Sequence, residues 1–266
     1  MTGIARIWLV TWLAVGGAWA SGTARAAVLI EPPRAVPVQV PYEAPPKAEP
    51  VPDTSVPRST RPLDAEELKR AEALLPLLDG KQELWAMGEF VHLGPPAIPV
   101  LVKALSMPSP RARYNAIETL LMIKDPSVVP ALIQSAKEPT EVPRVREHAL
   151  RVAVRLDPTQ VPPAIETLAK DPNPTLRKAA AFEARYVRQK SMVPVLIELM
   201  QDDERFVAIS AIQSLWLLTR HESEMHDWDI STRQDRVEWA QEWIAWWKEN
   251  RETFQLPDQR RPKKVS

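Results

Sequence analysis

The sequence predicts an all-α fold, an α-solenoid of about five helical hairpins closed by a tryptophan-rich C-terminal capping helix. Three observations predict it. Pro-x-Leu/Ile recurs at Pro99-Val100-Leu101, Pro130-Ala131-Leu132, Pro163-Ala164-Ile165 and Pro194-Val195-Leu196, at intervals of 31, 33 and 31 residues. An alanine in the apolar segment that follows keeps step, at Ala86, Ala116, Ala149, Ala180 and Ala211. Between these segments, Asp125-Pro126, Asp157-Pro158 and Asp171-Pro172-Asn173-Pro174 each stop one helix and start another. Two markers held in one phase mean stacked units that bury their apolar faces on each other.

Residues 1–26 read as a secretory signal peptide. Arg6 supplies the positive end, Ile7 to Ala20 the apolar run, and Ala24-Arg25-Ala26 a small-x-small cleavage site. The run falls short of the roughly 20 residues that span a bilayer. The expected localisation is therefore exported, periplasmic or extracellular, with no membrane association after cleavage. Residues 27–62 form a proline-rich linker: ten of the 32 residues from Glu31 to Pro62 are proline, too many for a helix or a central strand. It reads as a solvated tether.

The repeat array is expected over 63–220. Asp64 is a good N-cap with Glu66 and Glu67 in the first turn. Leu68, Ala71, Leu74, Leu75 and Leu78 follow at helical spacing up to Gly80, and a second helix runs from about Lys81 to Leu93. The later hairpins are expected at Ala97–Ser106 with Pro110–Lys124, Ser127–Lys137 with Pro143–Leu156, Thr159–Lys170 with Pro174–Arg188, and Met192–Gln201 with Glu204–Thr219. A proline in the first turn of a helix costs little, because its N–H would lack a partner; one placed deeper should bend the helix.

A loop and capping helix are expected over 221–256. Trp239, Trp243, Trp246 and Trp247 fall on one face of a helix from about Arg233 to Phe254, suited to sealing the last repeat near Trp216 and Leu217. Residues 257–266 form a basic tail expected to be disordered.

Paired helices with a first-helix proline and an Arg-x-x-Ala in the second resemble HEAT repeats. The matching second-helix segments are Arg113-Tyr114-Asn115-Ala116, Arg146-Glu147-His148-Ala149 and Arg177-Lys178-Ala179-Ala180, whereas Ala208 stands where repeat five would carry the arginine. The resemblance implies the solenoid, extends over about 155 residues, and is nearly silent about activity.

Composition narrows the function. There is no cysteine, which removes disulfides, thiol chemistry and thiolate zinc. Glycine numbers seven, none after Gly94, so phosphate-cradling loops are missing from most of the chain. Thirty-four basic residues balance 34 acidic ones, which gives no global field for nucleic acid. His221, Glu222, Glu224, His226, Asp227 and Asp229 form the one cluster of metal-ligand types, but its histidines are five apart, where a helical zinc motif needs four. A metal-dependent hydrolase built on this loop and a nucleic-acid-binding array are the alternatives to a scaffold. Arg113, Arg146 and Arg177 should stack as a ladder, with Asp125, Glu147 and Asp171 as expected ion partners.

The reading that results is a non-enzymatic scaffold or adaptor without cofactor or metal that binds another protein through a concave face made by the second helices. Counting from each phased alanine, positions one before and three and six after supply the candidate site: Trp85, Glu89, His92, Asn115, Thr119, Met122, His148, Arg155, Glu183 and Tyr186, with Val152, Ala179, Ser210, Ser214 and Leu217 in the same columns. The identity of the partner and the oligomeric state stay open.

Overall fold

The computed structural model describes residues 61–257, all within one compact unit. The signal segment, most of the proline-rich linker and the basic tail lie outside these residues. The described residues hold α-helices joined by short 3₁₀ turns, and no strand.

Five hairpins follow one another: α1 (Ala65–Leu74) with α2 (Glu83–Leu93), α3 (Ile98–Ala104) with α4 (Pro110–Ile123), α5 (Val129–Lys137) with α6 (Pro143–Leu156), α7 (Pro162–Leu168) with α8 (Pro174–Val187), and α9 (Met192–Leu199) with α10 (Arg205–Thr219). A final helix, α11, spans Arg233–Asn250. Consecutive second helices pack on each other more extensively than consecutive first helices do, as the inner layer of a curved stack must.

Proline shifts the helix boundaries from the sequence expectation at the end of α1 and at the starts of α3, α5 and α7. α1 stops at Leu74 and continues as a 3₁₀ turn over Leu75–Leu78, since Pro76 can offer no N–H to Glu72 and its ring would strike that carbonyl. The repeated prolines do not bend the first helices either. A 3₁₀ turn (Pro95–Ala97, Pro126–Val128 or Pro158–Gln160) precedes α3, α5 and α7, and each α-helix then restarts just ahead of Pro99, Pro130 or Pro163. The proline thus always occupies a first turn, where no backbone bond is lost. Asp125 and Asp157 fix these turns by accepting from the N–H of Ser127 (2.8 Å) and Thr159 (2.9 Å).

The marker residues sort by face. Pro99, Pro130, Pro163 and Pro194 are exposed, while Leu101, Leu132, Ile165 and Leu196, two positions on, are fully buried. All five phased alanines are fully buried. A residue without side chain beyond Cβ lets each second helix approach its neighbours closely, and one continuous core runs from Ala71 to Trp243.

The arginine ladder is internal; Asp171 is a partner as expected, while Glu141 and Asp202 stand where Asp125 and Glu147 were expected. Arg146 pairs with Asp171 at 2.7 Å with both side chains buried, Arg177 with Asp202 at 2.7 Å, and Arg113 with Glu141. Each acid sits just before the second helix of the next repeat, so every rung ties two repeats together. Asp125 is occupied as a turn cap and Glu147 pairs with Arg151 instead, because both lie on other faces. Arg113 and Arg177 also donate to the carbonyls of the loops before their own helices, Met107 and Pro108 for one and Asp171 and Pro172 for the other.

The tryptophan cap forms, but not against Leu217. α11 begins with a capping box between Thr232 and Asp235 and lies against α9, burying Ala240 and Trp243. Leu217 stays 46% exposed. The loop ahead of α11 folds back over the indoles instead, held by Trp216 Nε1 donating to Ser223 Oγ at 2.9 Å.

Candidate functional site

On the inner layer, only part of the face expected from the sequence is open. Thr119, His148 and Glu183 are buried, as are Val152, Ala179, Ser210 and Ser214. Asn115 is half-buried and donates from Nδ2 to the Leu78 carbonyl (2.9 Å) and to Glu83 (2.8 Å). The reason is geometric. Positions one before and three after each phased alanine look back at the preceding hairpin: Ser214 donates to the Ala181 carbonyl, and His148 rests on α4. Trp85 and Glu89 occupy the same columns yet are exposed, since the first repeat has no described hairpin before it. The column six after the alanine is open throughout, at His92, Met122, Arg155, Tyr186 and Leu217.

The rest of the open stripe lies five before and two after the alanine, columns that share its side at 100° per residue. Along it α6 presents Arg144, Arg151 and Arg155, α8 presents Thr175, Phe182 and Tyr186, and α10 presents Phe206, Gln213 and Leu217. A cationic band therefore adjoins an aromatic and aliphatic one. The sequence reading missed Arg144, Arg151, Phe182 and Phe206; the same alanine phase, shifted to these columns, would have found them.

Two shallow pockets mark the stripe. One, of about 370 Å³, lies between α4 and α6 and is lined by Pro110, Arg111, Tyr114, Asn115, Val142, Arg144 and Val145. The other, of about 450 Å³, lies between α6 and α8 and is lined by Arg151, Val154, Arg155, Phe182, Glu183 and Tyr186. Beside the first, the His148 imidazole stacks on Tyr114 at 4.0 Å, and the Arg144 guanidinium lies 5.0 Å from the centre of the same tyrosine ring. His148 Nε2 approaches Glu118 to 3.0 Å without the alignment of a hydrogen bond. Burial, then repulsion from Arg151, Arg155 and Arg144, pushes the imidazole down to about 4, so it is neutral at neutral pH. At the second pocket burial raises the Glu183 carboxyl, against the pull of Arg151 at 3.6 Å and of Arg155. Arg185 lies over the Phe182 ring at 4.1 Å.

The histidine loop is committed to packing. His221 stacks on Trp246 at 4.2 Å and meets Trp243 edge-on, and His226 stacks on Trp239 at 4.3 Å. Burial lowers the His221 pKa. Among the described residues no group of three or more His, Cys, Asp or Glu side chains is placed to hold a metal ion, and no helix is long and apolar enough to cross a membrane.

A family model described as HEAT repeats matches residues 81–154 and 161–222, just over half of the chain. No curated protein matches. Among solved structures, the chain is similar to one from the complex of CpcE and CpcF of phycocyanin lyase from Nostoc sp. PCC7120. Identity is 24%, the match covers 57% of this chain and 99% of that one, and the TM-score is 0.45.

Proposed function

The chain belongs to the HEAT-repeat family, and on that premise we propose that it is an exported, non-enzymatic scaffold that binds another protein through its second-helix face. One observation carries this reading: arginines and aromatics, the residue types that anchor protein interfaces, line an open stripe on the inner layer. The open apolar residues on it, Met122 on α4, Phe182 and Tyr186 on α8, and Phe206 and Leu217 on α10, flank the arginines of α6 on both sides, a grouping that single scattered exposures do not produce. Export rests on the signal-like residues 1–26.

A photocrosslinking residue placed at Tyr186, with a control at exposed Glu166 on α7, tests the binding face in the native host. A discrete protein adduct from position 186 alone is expected. Equal labelling from both positions, or none from 186, would refute the reading, as would stoichiometric zinc on the purified protein.

A further inference from the structure

We infer that the occupant of this face is an acidic segment of the partner, with apolar side chains set beside its carboxylates. The inference rests on the scaffold reading and specifies its ligand. The whole chain is electrically balanced, 34 against 34, yet the open stripe of α6 carries Arg144, Arg151 and Arg155 one above the other. Arg151 is engaged by Glu147 and approached by Glu183. No carboxylate lies within ion-pair distance of Arg144 or Arg155 among the described residues, so two guanidinium groups face the open side unpaired. A carboxylate arriving from a partner meets donors that no internal acid occupies, and a guanidinium takes it with two parallel bonds.

The neighbouring band sets the second half of the specificity. Phe182 and Tyr186 stand across the 450 Å³ pocket from Arg151 and Arg155, with Val154 among its lining residues. Phe206 and Leu217 continue the apolar surface on α10, 41% and 46% exposed. A ligand that fits both bands alternates carboxylate and apolar side chains. A nucleic-acid backbone fits less well: two uncommitted cations neutralise too few phosphates to hold it at physiological salt. The ion-paired Arg111, held at 2.6 Å by Glu83, adds none.

The test is fluorescence anisotropy on the full chain at about 150 mM salt, a concentration that screens long-range attraction. Three labelled probes are compared: an octapeptide of alternating Asp and Leu, the same peptide with Asn for Asp, and an oligothymidylate. The Asp peptide should bind about tenfold tighter than the Asn peptide, and Arg155→Glu or Arg144→Glu should remove most of that preference. Tyr186→Ala should weaken both peptides, and Lys170→Glu, an equal charge change at an exposed site off the stripe, should change neither. Thermal melts of each variant check that the fold is kept.

Equal binding of the two peptides, both weakened by Tyr186→Ala, would overturn the acidic preference and leave the scaffold reading standing. Loss with Lys170→Glu as large as with Arg155→Glu, a tighter oligothymidylate, or self-association relieved by Arg155→Glu would each overturn the inference.

Discussion

Acidification should loosen the seam between repeats two and three, because His148 is buried there uncharged. Its folded pKa is about 4, against 6.5 for the free side chain. Between those values the unfolded chain binds a proton that the folded chain does not, so stability is fully present above about pH 6.5 and is lost as pH falls toward 4. For a shift of that size, moving from pH 7.5 to 4.5 costs at most roughly 2.5 kcal/mol. Glu118, 3.0 Å from Nε2 and partly exposed, favours the cation in a partly screened setting, which keeps the loss under that ceiling. The other charges near the ring, Arg144, Arg151 and Arg155, act in the opposite sense. The assay is urea unfolding of the native sequence and of His148→Phe at both pH values. Phenylalanine keeps an aromatic ring against Tyr114 and cannot titrate. Carboxylates elsewhere lose stability equally in both proteins, so the difference between the two pH losses isolates His148. A difference near zero would refute the reasoning, since the imidazole would then take up its proton as easily folded as unfolded.

Three further outcomes are expected. Arg146→Ala strands the buried Asp171 carboxylate and should cost about 3–5 kcal/mol in urea unfolding, while Arg146→Met with Asp171→Leu should recover most of it. Trp243→Ala empties the centre of the cap, where the indole is 1% exposed, and should cost about 3–5 kcal/mol by the same measurement. If residues 1–26 are removed on export, intact-mass analysis of the secreted protein should place its first residue at Ala27.

The fold was legible because its period is written in residues with one structural use. Alanine at the helix crossing and proline in the first turn recur for steric reasons, and both kept their places in three dimensions. The binding face was less legible, and the error has a physical form. On an isolated second helix, the columns holding His148 and Glu183 and the columns holding Phe182 and Tyr186 are equally exposed. Only the stacking of one repeat on the last decides that the former are seam and the latter surface. Ladder partners were missed for a related reason: Glu141 and Asp202 lie 28 and 25 residues beyond their arginines, a distance that depends on loop length. His221 and His226 looked like ligands because nothing local shows that indoles from α11 will cover their rings.

Repeat five shows how the ladder ends, and it yields a final prediction. The arginines of α4, α6 and α8 all occupy the fourth residue of their helices; in α10 that residue is Ala208. In α11 it is Arg236, 3% exposed, which donates to the carbonyls of Asp202 (2.9 Å), Asp203 (2.9 Å) and Ser231 (3.0 Å). The cap is therefore keyed to the array by the same device that joins the repeats, with backbone carbonyls of the loop between α9 and α10 in place of a carboxylate. Asp202 serves both sides, its carboxylate holding Arg177 and its carbonyl holding Arg236. Arg236→Met keeps the apolar stem and removes every donor, leaving buried carbonyls without partners at about 1–3 kcal/mol each, less what water recovers. The loss should fall on the cap before the array, because solenoid stability is a sum of neighbour terms. Hydrogen exchange of Arg236→Met should show the amides of α11 losing protection by one to two orders of magnitude while those of α4 to α8 keep theirs. If α11 kept its protection, the indole packing alone would hold the cap and Arg236 would not be its key. If all the helices lost protection together, the array and its cap would be one cooperative unit rather than a stack with a separately keyed end.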